Sequence, residues 1–193
     1  MSSKLVCGVG FNDGKYPTKV NGKNTKEYDL WRSLLCRCYA FSTHKIRPTY
    51  VGCSASKEFK NFTYFHEWCQ SQIGFGREGY HLDKDLLVRG NRVYSEDTCT
   101  FLPSELNTLL LSCKRVRGVL PVGVSPWKDK FRASCRRGSA AYYLGVFKTP
   151  EEAFQAYKEA KEAFIKSQAE EWKALIDPRA YAALMAYEVL ATD

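Results

Sequence analysis

A chain of 193 residues with 45% hydrophobic and 14% aromatic side chains carries enough apolar surface to fold, which excludes a largely disordered polypeptide. No apolar run approaches the ~20 residues that span a bilayer, so a membrane is not expected as a partner. The net charge of +8 is gathered between Lys114 and Arg137, and a local basic excess points to a polyanion, nucleic acid first.

Eight cysteines without the apolar core of a secretion signal imply a reducing, cytoplasmic compartment. Cys36-Arg37-Cys38 is the one close pair and there is no Cys-x-x-Cys ladder. That argues against structural zinc and for free thiols in the core.

Residues 1–24 hold the turn signals Gly8-Val9-Gly10, Asn12-Asp13-Gly14 and Asn21-Gly22, without the lysine of a phosphate-cradling loop, and read as irregular structure. From Lys26 to Tyr39 the residues Tyr28, Trp31, Leu34, Leu35 and Cys38 recur at helical spacing, and Thr25 stands where a cap belongs. Arg32 and Arg37 lie off that stripe, as a solvated face or a phosphate contact. A second helix is expected from Ser54 or Ser56 to about Gln72, with Phe59, Phe62, Phe65 and Cys69 inward and His66 beside them as a structural residue. Gly74-Phe75-Gly76 ends it.

The next stretch reads as strand Tyr80–Val88, turn Arg89-Gly90-Asn91, strand Arg92–Phe101 and a helix opened by Pro103. Asp83 and Asp85 fall on one strand face with Lys84 opposite. Such a pair can hold a hard cation such as magnesium, although a solvated face is the plainer reading. Beyond Leu109-Leu110-Leu111 the segment 112–118 is basic and glycine-ended, as in a linker, and its Lys114, Arg115 and Arg117 are placed to track a phosphate backbone.

Three further strands are expected at Leu120–Ser125, Lys130–Arg136 and Ala141–Phe147. In the middle one Phe131, Ala133 and Cys135 alternate with Arg132, Ser134 and Arg136, giving one apolar and one basic, polar face. Thr149-Pro150-Glu151-Glu152 has the pattern of a capping box with proline at the first helical position. The helix that follows turns Ala153, Phe154, Tyr157, Ala160 and Ile165 inward to cover the apolar face. Asp177-Pro178 opens a last helix to about Leu190, whose apolar side packs on this protein or on a second copy.

The fold class is therefore α+β. The chain divides into an amino-terminal domain 1–113, a basic linker 114–119, a sheet-and-helix domain 120–168 and a helical extension 169–193.

Gly123-Val124, Trp127, Lys130-Phe131-Arg132-Ala133, Tyr143-Leu144-Gly145-Val146-Phe147 and Thr149-Pro150-Glu151-Glu152-Ala153 through Ala156-Tyr157 resemble the apetala/ethylene-response-factor DNA-binding domain. That domain occurs in plant transcription factors and in phage homing endonucleases. The resemblance implies a three-stranded antiparallel sheet, packed on a helix, that enters the major groove of double-stranded DNA. Its contact positions fall on Trp127, Lys130, Arg132, Ser134, Arg136 and Tyr143. Val122, Ser125 and Ala141 stand where the plant proteins have arginine, so fewer guanidinium groups reach guanine edges.

The stretch from Tyr80 to Asn107 resembles the ββα-metal module of HNH nucleases, and its pairing with the second domain is the layout of phage free-standing endonucleases. Leu82-Asp83-Lys84-Asp85 matches the strand that bears the aspartate and the general-base histidine. Thr98-Cys99-Thr100-Phe101 matches the segment leading into the helix, and Asn107 the terminal asparagine. The resemblance implies catalytic roles for His81, Asp83 and Lys84, and a magnesium ion on Asp83, Asp85 and Asp97. Lys84 occupies the histidine position, and an ammonium in water is a poor base near neutral pH. His81, on the same strand face as Asp83, is the substitute base.

The expectation is a phage-type DNA-binding protein, at work in the bacterial host cytoplasm, whose HNH nuclease centre has degenerated. Two alternatives stand beside it. One is an active magnesium-dependent endonuclease, and the other a phage effector that binds and inhibits a host defence or transcription protein.

Overall fold

The structure is a computed structural model, and it describes residues 5–110, 119–138 and 140–193. It has the α+β class, and it divides into two compact units, Met1–Leu102 and Pro103–Asp193.

In the first unit Asn21 and Gly22, both at positive φ, turn strand β1 (Lys19–Val20) onto β2 (Lys23–Asn24), the conformation for which Asn-Gly is suited. Helix α1 (Lys26–Tyr39) starts at Thr25, whose hydroxyl accepts from the Tyr28 N–H at 3.3 Å. Trp31, Leu34, Leu35 and Cys38 on its stripe are all buried. Gly10 lies so close to this helix that a Cβ there would stand 2.2 Å from Leu35 and 2.9 Å from Trp31. A short helix α2 (Phe41–Ile46), without a side-chain cap, follows. The His44 ring bonds the Arg37 carbonyl at 2.9 Å.

The second expected helix starts later than its serines suggest. Ser54-Ala55 forms strand β3, and Ser56 accepts from the Phe59 N–H at 3.1 Å to shape a 3-10 turn. Helix α3 (Phe62–Ser71) is capped instead by Asn61, which accepts from Thr63 and Tyr64. The core joins α1 and α3 through aromatic rings, with Trp31 donating to the Phe59 carbonyl at 2.8 Å and Phe59 edge-on to Phe65 at 5.1 Å. His66 stacks on Tyr16 with ring centroids 3.9 Å apart, and its Nδ1 finds no hydrogen-bond partner among the described residues.

The expected hairpin is replaced by a different pairing. Strand β4 (Tyr80–Asp83) pairs with β6 (Thr100–Pro103), whereas β5 (Val93–Tyr94) runs parallel to β3. The turn at Val88–Asn91 is present, closed by the Asn91 N–H to the Val88 carbonyl at 3.1 Å. The strands on either side of it pair elsewhere. The reason lies at Asp83, which ends β4 by accepting from the Asp85 and Leu86 N–H groups and so turns the chain out of the extended form.

The second unit opens with helix α4 (Ser104–Leu109), which packs with α5, so the unit boundary precedes the basic segment. Strands β7 (Val124–Trp127), β8 (Lys130–Arg137) and β9 (Ala140–Phe147) form one antiparallel sheet in that order. Helix α5 (Pro150–Trp172) begins with the capping box: Thr149 accepts from the Glu152 N–H at 3.2 Å, and Glu152 accepts from the Thr149 N–H at 3.3 Å. Ala133 and Cys135 of the sheet and Ala153 and Tyr157 of the helix are buried between the two layers. Gly123 permits the closest approach, since a Cβ on it would lie 2.0 Å from the Tyr157 ring.

Helix α6 (Pro178–Met185) is capped by Asp177 and stops short of the expected end. Its apolar side packs on α5 of the same chain, and Ala169, Ile176, Ala180 and Leu184 are buried. The tail then returns to the sheet domain. Val189 joins Cys135 and Tyr157, its N–H donates to Glu162 at 2.8 Å, and the Val122 N–H donates to the Ala191 carbonyl at 3.1 Å. Residues 169–193 thus complete this unit's core. Among the described residues no helix is long and apolar enough to cross a membrane.

Candidate nucleic-acid interface

The period of two in β8 sends Phe131, Ala133 and Cys135 against α5 and leaves Lys130, Arg132, Ser134 and Arg136 for the other face. Register continues that face across the sheet: Ser125 and Val146 stand opposite Arg132, and Tyr143 opposite Ser134. Between Ala133 and Ser134 the register shifts, so Leu144 is left between the pairs and joins the apolar core while Tyr143 points out. Trp127 is 46% exposed and Tyr143 66%, both large for aromatic rings.

Arg132 is held on this face. Its guanidinium lies 5.2 Å from the Trp127 ring centroid and its Nε donates to Ser125 at 3.3 Å. Lys130 and Arg136 are exposed. Ser134 and Arg136 also border a pocket of about 1040 Å³, together with Tyr142, Tyr157 and the α4 residues Ser104 and Thr108. The structure therefore brings Trp127, Lys130 and Arg132 together at one end of the face and sets Ser134 and Arg136 toward the other.

Charge is divided between the two layers. From Val119 to Lys148 the basic residues are Lys128, Lys130, Arg132, Arg136, Arg137 and Lys148, against the single acid Asp129. Along α5 the acids Glu151, Glu152, Glu159, Glu162, Glu170 and Glu171 outnumber Lys158, Lys161 and Lys166. A polyanion is attracted to the sheet and repelled by the helix. Lys114, Arg115 and Arg117, the expected backbone contacts, lie outside the described residues.

The expected metal and catalytic residues are differently placed. Asp83 is half-buried and uses its carboxylate inward, accepting from the N–H groups of Asp85 at 3.0 Å and Leu86 at 2.8 Å. Burial pushes its pKa up from the ordinary carboxylate value. Lys84, 12% exposed, is paired with Asp85 and donates to the Asn91 carbonyl at 2.9 Å, and Asn91 returns a bond to the Lys84 carbonyl at 2.9 Å. The two side chains thus clasp the loop.

Asp97 is exposed in a turn, and Thr98 closes that turn by donating to the Val93 carbonyl at 2.7 Å. Asp83, Asp85 and Asp97 do not converge. Among the described residues no three His, Cys, Asp or Glu side chains gather as a metal ion would require. His81 is exposed and lines a pocket with Arg37 and Arg77, which Asp83 does not reach. Asn107 sits half-buried in α4, within the second unit.

The thiols follow the expectation in part. Cys38, Cys53, Cys69, Cys99 and Cys135 are free and buried, with burial raising the pKa of Cys38 and Cys99 to about 12. Cys36 does not partner Cys38. Its sulfur lies 3.2 Å from that of Cys7, a proximity with no local sequence signal.

Comparison with protein-family models, with curated proteins and with solved structures finds no match for this chain.

Proposed function

We propose that the chain is a DNA-binding protein whose sheet β7–β9 lies against the duplex, with Trp127, Lys130 and Arg132 at the centre of contact and Arg136 and Tyr143 beside them. One observation carries the reading: Trp127, Lys130 and Arg132 stand together on the face of the sheet turned from α5, with Trp127 exposed, Arg132 set over its ring, and Ala133 and Ala153 packed behind them. A sheet presented in this way supplies guanidinium and ammonium groups to phosphates and base edges without ordering a loop first.

The resemblance to apetala/ethylene-response-factor domains gives the same residues, and the first unit is read as an HNH-like scaffold whose nuclease centre has degenerated. Supporting that part, Asp83 and Lys84 are engaged in shaping their own loop, and the three carboxylates needed for magnesium stand apart.

A gel-shift series on double-stranded DNA at rising salt is the test. Binding at low salt that falls steeply with salt, and less steeply after Arg132→Ala, is the expected result. No retention of any DNA at low salt would replace this reading with that of a protein-binding effector. Magnesium-dependent nicking lost in Asp83→Asn would restore the endonuclease.

A further inference from the structure

The first unit contains a second basic site that the proposed DNA interface does not use. It is a pocket of about 280 Å³ whose rim carries Lys26, Arg37, Arg77 and His81, and whose wall is aromatic, with Phe75 and Tyr80. No carboxylate lines it; Glu78, next in the chain to Arg77, is not among the lining residues. Three cations around one concavity repel one another, an arrangement that an anion relieves.

The rim is built by separate elements. Lys26 and Arg37 share one face of α1 with Leu30, following the helical repeat. Arg77 comes from the turn after α3, and His81 from β4. None of the four takes part in an ion pair among the described residues.

Their positions are held by neutral groups. Lys26 donates to the Gly76 carbonyl at 3.2 Å, and Arg77 lies 5.9 Å from the Tyr80 ring centroid. Arg37 lies 5.5 Å from the Tyr50 ring centroid. The turn itself is pressed on the wall. Gly74 has φ +91° and a Cβ on it would meet the Tyr80 ring at 2.4 Å. Lys26 and Arg77 thus each have a contact with the segment 76–80 that forms the rim.

We propose that this pocket binds the phosphate of a single nucleotide unit, with the guanidinium group of Arg77 and the ammonium of Lys26 on the phosphate oxygens and the base or sugar against Phe75 and Tyr80. Guanidinium and ammonium donors suit phosphate, and aromatic faces take any base. The volume lies just below the ~300–1,000 Å³ of pockets for drug-sized ligands, so it holds one nucleotide and not two. The phosphate comes either from a nucleic-acid strand or from a free nucleotide. Only in the first case does the inference deepen the DNA-binding reading, and the pocket stands without it.

The test uses the full chain, followed by amide chemical shifts in NMR, with deoxyadenosine monophosphate and a short DNA duplex as separate probes at low salt. Either probe should shift the resonances of Lys26, Arg77 and His81 saturably. The double variant Lys26→Ala with Arg77→Ala, both at exposed side chains, should weaken that binding by roughly tenfold or more. Arg132→Ala should leave the mononucleotide response unchanged even where it abolishes DNA retention, which separates failure of the sheet reading from failure of this one.

Saturation by the mononucleotide identifies a free nucleotide. A response to duplex alone, with the salt slope reduced by about 0.9 in the double variant, identifies a strand phosphate. No shift at the pocket with either probe, or binding unchanged in the double variant, overturns the proposal.

Discussion

Arg132 lies with its guanidinium 5.2 Å from the ring centroid of Trp127, in the solvent-facing layer of the sheet. The two occupy different strands, and the ring holds the cation flat against the surface, ready for a planar partner. The pair predicts a split between two variants. Arg132→Ala should lower DNA affinity by about tenfold and reduce the slope of log affinity against log salt by about 0.9, one phosphate's worth. Trp127→Ala removes no charge, so affinity should fall while the slope holds. Gel shifts at four or more salt concentrations measure both quantities, and a slope change in Trp127→Ala would mean that the contact is not divided as stated.

The Asp83 carboxylate is raised in pKa by burial, from an ordinary value of 3.8. The folded form then binds its proton more tightly than the unfolded chain does, so this group's contribution to stability is complete below 3.8 and is lost as pH rises through the higher folded value. Asp83→Asn keeps an oxygen for the Asp85 and Leu86 N–H groups and has no charge to bury. It should flatten stability against pH in that acid window and leave the protein no less stable at neutral pH. Asp83→Ala orphans both N–H groups and should cost about 1–3 kcal/mol. Denaturant midpoints from pH 3 to 7 compare the three proteins.

What the sequence made legible was local. Helix α1 and helix α5 carry both a 3.6-residue repeat and a capping side chain, Thr25 and Thr149, and both begin where those residues stand. The alternation in β8 needed no partner to be read, and Ala133 and Cys135 are indeed the buried ones. The rest depended on pairing across distance. Arg89-Gly90-Asn91 announces a turn, but nothing near it says that Val93-Tyr94 will pair with Ser54-Ala55, or β4 with β6. The same limit hid the basic pocket, because Lys26 and Arg77 meet only after α1 and the turn following α3 are packed. Asp83 and Lys84 show a different limit: residue types suited to metal and catalysis serve equally well to hold a loop, and only their hydrogen bonds distinguish the two.

On the proposed HNH-like reading, a histidine placed at position 84 should therefore not confer cleavage. Lys84→His supplies an imidazole but also breaks the clasp to Asn91, and Asp83, Asp85 and Asp97 remain apart. Supercoiled plasmid incubated with magnesium or manganese should stay intact with the native chain and with Lys84→His alike. Nicking that appears in Lys84→His and disappears on adding Asp83→Asn would show that the carboxylates can assemble on metal.

The second unit's stability is open to test at two neighbouring points with different physics. Thr149→Ala removes one half of the capping box and should cost about 1 kcal/mol, lowering Tm by about 4–8 °C for a unit of this size. Gly123→Ala is worse for two independent reasons. At φ +77° an L side chain pays about 1–2 kcal/mol of left-handed strain. Its Cβ would also lie 2.0 Å from the Tyr157 ring, which is itself buried against Cys135 and Val189 and cannot retreat without opening that core.

Overpacking of that kind adds about 1–3 kcal/mol. Gly123→Ala should therefore exceed Thr149→Ala by a clear margin in thermal melts. The Tyr157→Leu background should reduce the difference, because it removes the ring and leaves only the backbone strain. If Gly123→Ala is no more harmful than the cap variant, the close approach of β7 to α5, and with it the rigid backing of the basic sheet face, would not hold.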